Sequence, residues 1–66
     1  MENLRRLREA AGLTQTELAA RVGVKQCSLS AWELGTANPS FENLLRLVAA
    51  LDTSMDELLG RKSAGA

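Results

Sequence analysis

An all-α fold, a compact domain of five helices, is what this chain predicts, and three observations support it. Leucines and other aliphatic residues recur at spacings of three and four through almost the whole sequence, the period of a helix face and not of a strand. Thr14 precedes Glu17, Ser40 precedes Asn43 and Ser54 precedes Glu57 by three residues, the spacing at which a side chain closes the first turn of a helix. Gly12, Gly23, Gly35 and Gly60 stand where each of four apolar periods stops.

Taken in order, the first helix covers Glu2 to Ala11, turns Leu4, Leu7 and Ala11 to one side, and offers Glu2–Arg6 and Arg5–Glu9 as pairs four residues apart. The Thr14–Glu17 capping box starts a second helix near Gln15 that points Leu18, Ala19 and Val22 inward. A third runs from about Gln26 to Leu34 with Leu29 and Trp32 on its inner face. Its start is poorly marked, because Lys25 stands where a capping Ser or Thr is expected. The turn from Thr36 to Pro39 leads to a fourth helix capped by Ser40, which buries Leu44, Leu47, Val48 and Leu51, with Phe41 at the lower edge of the core. Asp52 and Thr53 make the next turn, and Ser54 with Glu57 forms a second capping box for a short fifth helix whose apolar side is Met55, Leu58 and Leu59. Residues 1–60 thus read as one helix-turn-helix domain and 61–66 as a flexible polar tail.

The 66 residues suffice for one domain and not for two, and at this size only about 60% of the unfolded chain's surface is buried on folding. One Trp, one Phe and no Tyr leave the core to aliphatic side chains. Eight basic residues balance eight acidic ones, so affinity for a polyanion has to come from where charges stand and not from their sum. Cys27 is the only cysteine and there is no histidine, which excludes an internal disulfide and a cysteine nucleophile with an imidazole base of this chain, and makes a Cys/His metal site a poor reading. No paired carboxylates or phosphate-cradling glycine loop suggest an enzyme, a cofactor or a small-molecule ligand. Met1 is followed at once by Glu2, and no apolar run approaches the about 18 residues of a membrane span. The chain reads as soluble and cytoplasmic, with no membrane partner.

A second helix of about eight residues, a tight turn at Gly23 and Val24, and a third helix crossing it steeply are the arrangement that places one helix in a DNA major groove. Gln26, Cys27, Ser30 and Ala31 occupy the outer face of the third helix; a Gln side chain matches adenine N6 and N7, and a Ser hydroxyl serves base edges or phosphate. The same face also suits an ordinary solvated side of a helical bundle, and spacing alone does not choose.

The stretches LRRLREAAGLTQTELAARVGV, SLSAWELG and NPSFENLLRLVAALDTSMDELLG, in this order and spacing, resemble the lambda and 434 repressor and Cro type of helix-turn-helix domain, the XRE family. The likeness spans Leu4 to Leu59 and implies five helices and binding to operator DNA as a transcriptional regulator; with so few basic contacts in a single copy, a homodimer on a palindrome is the expected form. By that resemblance Gln15 anchors a phosphate at the start of the second helix, and Lys25, Gln26 and Cys27 face base edges. Ser28 and Ala31 are their neighbours, and Asn38 belongs to a loop that skirts the phosphates. Arg8 and Glu33 are expected to bridge the first helix to the end of the third, and Trp32 to fill the core. Leu45 and Met55 are candidates for the dimer surface.

Several positions depart from the family pattern. Ala31 and Leu34 replace residues that are often basic, the loop Thr36, Ala37 and Asn38 is neutral, and Asp52 stands where Gly is usual. Weak phosphate affinity is the expectation, and with it a second reading: a protein-interaction module on the same fold, using Cys27, Ala31 and Leu34 as an apolar strip. Without a basic N-terminal arm or a large C-terminal domain, the chain reads as a minimal regulator or as the binding domain of something longer.

Overall fold

The computed structural model describes residues 1–60, which form α1 (Glu2–Ala10), α2 (Gln15–Val22), α3 (Gln26–Leu34), α4 (Phe41–Leu51) and α5 (Met55–Leu59). The tail expected over 61–66 lies outside the described residues.

Local chemistry sets most of these boundaries. At α2 the Thr14 hydroxyl accepts the Glu17 N–H at 3.1 Å and the Glu17 carboxylate accepts the Thr14 N–H at 2.8 Å, a complete capping box. Accepting that backbone N–H, and the partnership with the Thr14 side chain, hold the Glu17 carboxyl below its ordinary range. Ser40 accepts the Asn43 N–H at 3.2 Å to start α4. The expected box at α5 is only half formed: Ser54 accepts the Glu57 N–H at 3.1 Å, but the Glu57 carboxylate takes the Thr53 hydroxyl at 3.2 Å instead of the Ser54 N–H. Helix α3 begins at Lys25 with no side-chain cap, as its sequence suggested.

Gly23 ends α2 at φ 85°, a conformation in which a Cβ meets the neighbouring carbonyl, so the tight turn into α3 depends on glycine here. Asp52 ends α4 in the same region, φ 53° and ψ 49°, without that freedom.

The core takes one fully buried leucine from every helix: Leu4, Leu18, Leu29, Leu47 and Leu58. Burying each contributes about 1.5–3 kcal/mol relative to leaving it in water. Ala19, Val22, Trp32 and Leu51 complete the buried set, while Leu7, Leu13, Val24, Leu44 and Val48 pack around it half-buried. Helix α3 lies between α1 and α2, α4 packs on α2, and α5 closes the domain against α1 and α4.

Some expected inward side chains are not inward. Phe41 is 69% exposed; it is the first residue of α4, about 60° around the helix from Leu44, and extends past the end of the packed region. Leu59 is 42% exposed, at the mouth of a cleft it lines with Met1, Asn3 and Leu58 and not in the core. Ala11 is exposed as the C-cap of α1 and not a member of its inner face. Glu2 and Arg6 do not pair, because Arg6 Nη2 donates to Asn3 Oδ1 at 2.7 Å; the Arg5–Glu9 pair does form, at 3.3 Å. Both of its partners are largely solvated, so its contribution to stability is small.

Candidate nucleic-acid interface

Helices α2 and α3 bring their N-termini to one edge of the molecule. Thr14 takes up the Glu17 N–H, and the N–H groups of Gln15 and Thr16 make no hydrogen bond among the described residues; the same is true of Gln26 and Cys27 at the start of α3. Two helix starts with unclaimed donors and the positive ends of their dipoles therefore sit together, a chemistry suited to anionic oxygens. Lys25 is exposed beside them and is the only basic residue at the head of α3.

On α3, with Leu29 and Trp32 inward, residues 26, 27, 30 and 31 span one outward sector. Gln26 and Cys27 are exposed, and Ser30 and Ala31 are half-buried one turn further on. Ser28, also half-buried, lies on the flank of this sector. Leu34 continues the sector and is 76% exposed, so the apolar end of the face is open to solvent. Asn38 is exposed but stands apart from the cluster: it lines a cleft with Met1, Asn3, Leu58 and Leu59 between α1 and α5.

Behind the face lies a polar network. Arg8 Nε donates to Glu33 Oε2 at 2.6 Å and Arg8 Nη2 to Glu33 Oε1 at 3.2 Å, a two-pronged pair that ties α1 to the end of α3 as expected. The third prong, Arg8 Nη1, donates to the Leu13 carbonyl at 2.9 Å and so fixes the loop that leads into α2. Side-chain exposure is 12% for Arg8 and 4% for Glu33, and no buried side-chain donor or acceptor among the described residues is left without a partner. Burial pushes the Glu33 carboxyl up, but the hydrogen bonds from Arg8 and Gln15, with the Arg8 charge, more than reverse this and leave it below its ordinary range. The hydrogen bond to Glu33 raises the Arg8 guanidinium correspondingly, so both are charged at neutral pH.

Gln15 belongs to this network. Its Nε2 donates to Glu33 Oε1 at 2.9 Å, and its Oε1 accepts from Gln26 Nε2 at 3.3 Å. The sequence carries no sign of that link between the two glutamines. Nor did it indicate the part taken by Met1, whose amino group donates to the Trp32 and Glu33 carbonyls at 2.7 and 3.2 Å and closes the carbonyl end of α3.

Two helices joined by a glycine turn, with the polar face of the second open to solvent, define a helix-turn-helix domain. The chain belongs to the helix-turn-helix family, whose model matches residues 4–58. It is similar to the cryptic phage CTXphi transcriptional repressor RstR of Vibrio cholerae, 38% identical over 60 residues that make up 91% of this chain and 54% of RstR. The chain thus spans about half the length of the curated relatives it matches first. Among solved structures it is similar to the c2 repressor of phage P22 in complex with synthetic operator 9T, with a TM-score of 0.86 and 38% identity over 92% of each chain. It is also similar to the restriction-modification controller protein C.AhdI of Aeromonas hydrophila, with a TM-score of 0.82 and 40% identity over 86% of each chain.

Proposed function

We propose that this chain binds double-stranded DNA sequence-specifically as the operator-reading domain of a transcriptional regulator. The observation that carries the reading is the convergence of two helix N-termini whose first side chains, Gln15 and Gln26, meet at 3.3 Å with Lys25 exposed alongside. In this reading α3 enters the major groove, Gln26, Cys27, Ser30 and Ala31 face base edges, and Lys25 with the free N–H groups of α2 and α3 holds phosphates on either side. Ser28 contacts the backbone from the flank, and Asn38 takes a more distant phosphate. The likeness to a repressor solved with its operator supports the same docking.

One Lys at the reading edge gives a single copy few ionic contacts. A homodimer on a palindrome, with half-site centres about 34 Å apart, doubles them. Leu45, 47% exposed, and the half-buried Met55 are the apolar side chains we assign to that contact. No helix among the described residues is long and apolar enough to cross a membrane; in this reading the chain acts in the cytoplasm, and regulation of this kind requires no catalytic step.

The test is a salt titration of binding to duplexes selected from a randomised library. Each phosphate neutralised contributes about −0.9 to the slope of log K against log salt, and a slope of zero refutes the reading. The exposed Leu34 beside Ala31 and Cys27 favours the alternative of a protein-binding face. Protection of a discrete duplex site excludes that alternative as the main function.

A further inference from the structure

Helix α3 itself carries no Lys or Arg, so ionic contacts along its length have to come from a neighbouring element. Between α1 and α3 runs a cleft of about 280 Å³, lined by Arg5 and Arg8 from α1, Gln15 at the head of α2, and Ser30, Glu33 and Leu34 from α3. Ser30 and Leu34 also belong to the outward sector of α3, so the cleft borders the face that is open to solvent. The two guanidinium groups in it are not equivalent. Arg8 commits all three of its nitrogens to Glu33 and the Leu13 carbonyl, and the Glu33 charge cancels its own. Arg5 gives only Nε, to Glu9 at 3.3 Å, and its side chain is 65% exposed. Its two Nη groups make no hydrogen bond among the described residues and remain available as donors.

We propose that Arg5 of α1 is a phosphate-binding residue, which holds one backbone phosphate of the duplex at the mouth of this cleft. The dimensions of the groove lead there. A helix with its side chains is about 10–12 Å across and the major groove about 12 Å wide, so a helix lying in the groove has a sugar–phosphate wall against each flank. Ser30 and Leu34 mark the flank of α3 that faces α1, and Arg5 is the cation with open donors on that side. A guanidinium offers two parallel N–H groups to two phosphate oxygens. Leu34, 76% exposed, gives the mouth an apolar side, and water excluded there strengthens a contact between charges. Arg6, next in sequence, is bonded to Asn3 and is not among the residues that line the cleft. The inference rests on the DNA-binding reading above and adds to it an ionic contact from outside the helix-turn-helix pair.

The experiment follows two duplexes by fluorescence anisotropy over a range of salt: the one that the wild-type chain selects from a randomised library, and a scrambled one. Arg5→Gln is expected to weaken both by the same factor, roughly three- to tenfold, and to reduce the slope of log K against log salt by about 0.9 for each copy bound. Arg6→Gln removes the same charge one residue away, and is expected to leave the slope unchanged and the affinity within about twofold of wild type. The Arg5–Glu9 pair is solvated, so Arg5→Gln is expected to melt within a few degrees of wild type, and binding is measured well below that transition.

An Arg5→Gln slope equal to that of Arg6→Gln overturns the proposal and leaves the DNA-binding reading standing. A loss confined to the selected duplex, with the scrambled one bound as before, overturns it as well, because it makes Arg5 a reader of bases and not of phosphate. A wild-type chain that selects no duplex removes the DNA-binding reading and this inference with it.

Discussion

Replacing Trp32 by alanine removes the largest side chain of the core, one that is 5% exposed and packed with Leu4, Leu29 and the other buried leucines. A truncation of this kind costs about 3–5 kcal/mol through lost burial and the cavity left behind. For a chain of 66 residues, a typical total stability is about 0.05–0.15 kcal/mol per residue, or roughly 3–10 kcal/mol. The loss is thus of the same order as everything that holds the fold. At roughly 4–8 °C per kcal/mol for a domain of this size, the melting temperature is expected to fall by about 15 °C or more, and the variant to be largely unfolded if the wild type lies at the lower end. Because the substitution removes the only tryptophan, far-UV circular dichroism in thermal and urea melts is the suitable probe. Trp32→Phe, which retains a ring, is expected to lose less than half as much. A Trp32→Ala midpoint within a few degrees of wild type would refute the assignment of Trp32 to the core.

Other predictions follow from single features. The lowered Glu33 carboxyl makes the unfolded chain bind more protons than the folded one just below the ordinary glutamate range, so its contribution is present at neutral pH and lost as acid passes through the lower folded value; in urea melts from neutral to acid pH, Glu33→Gln is expected to start less stable and to show a shallower acid loss. Lys25→Ser supplies the missing cap of α3 and is expected to raise stability by about 0.5–1 kcal/mol while weakening binding to every duplex, a split read by urea melts beside fluorescence anisotropy. Asp52→Gly relieves the left-handed conformation and removes a negative charge from the carbonyl end of α4, an expected gain of about 1 kcal/mol in the same melts. Gln26→Ala is expected to leave the melting curve unchanged, because the residue is exposed, and to cost about 1–3 kcal/mol on the selected duplex but much less on a scrambled one.

Much of the fold is legible in the sequence because its signals are local. Thr14, Ser40 and Ser54 each bond a backbone N–H three residues on, and Gly23, Gly35 and Gly60 each end a helix, interactions completed within a few residues of chain. The inward leucines follow from helical period alone, and the pairing of Arg8 with Glu33 followed from the family resemblance. Phe41 could not be placed this way, because helical period says which way a side chain points and not whether another element reaches that far along the axis. The link from Gln26 through Gln15 to Glu33 depends on how closely α2 and α3 approach, as does the Met1 amino group on the last carbonyls of α3. Hydrogen bonds between distant elements are set by helix crossing angles to within an ångström or so, and no one-dimensional pattern of residue types encodes that distance. The amino-acid sequence thus determined which helices form and which faces they bury, while tertiary packing alone decided that the Glu33 carboxylate would stand behind Gln15 and Gln26 and link them to Arg8.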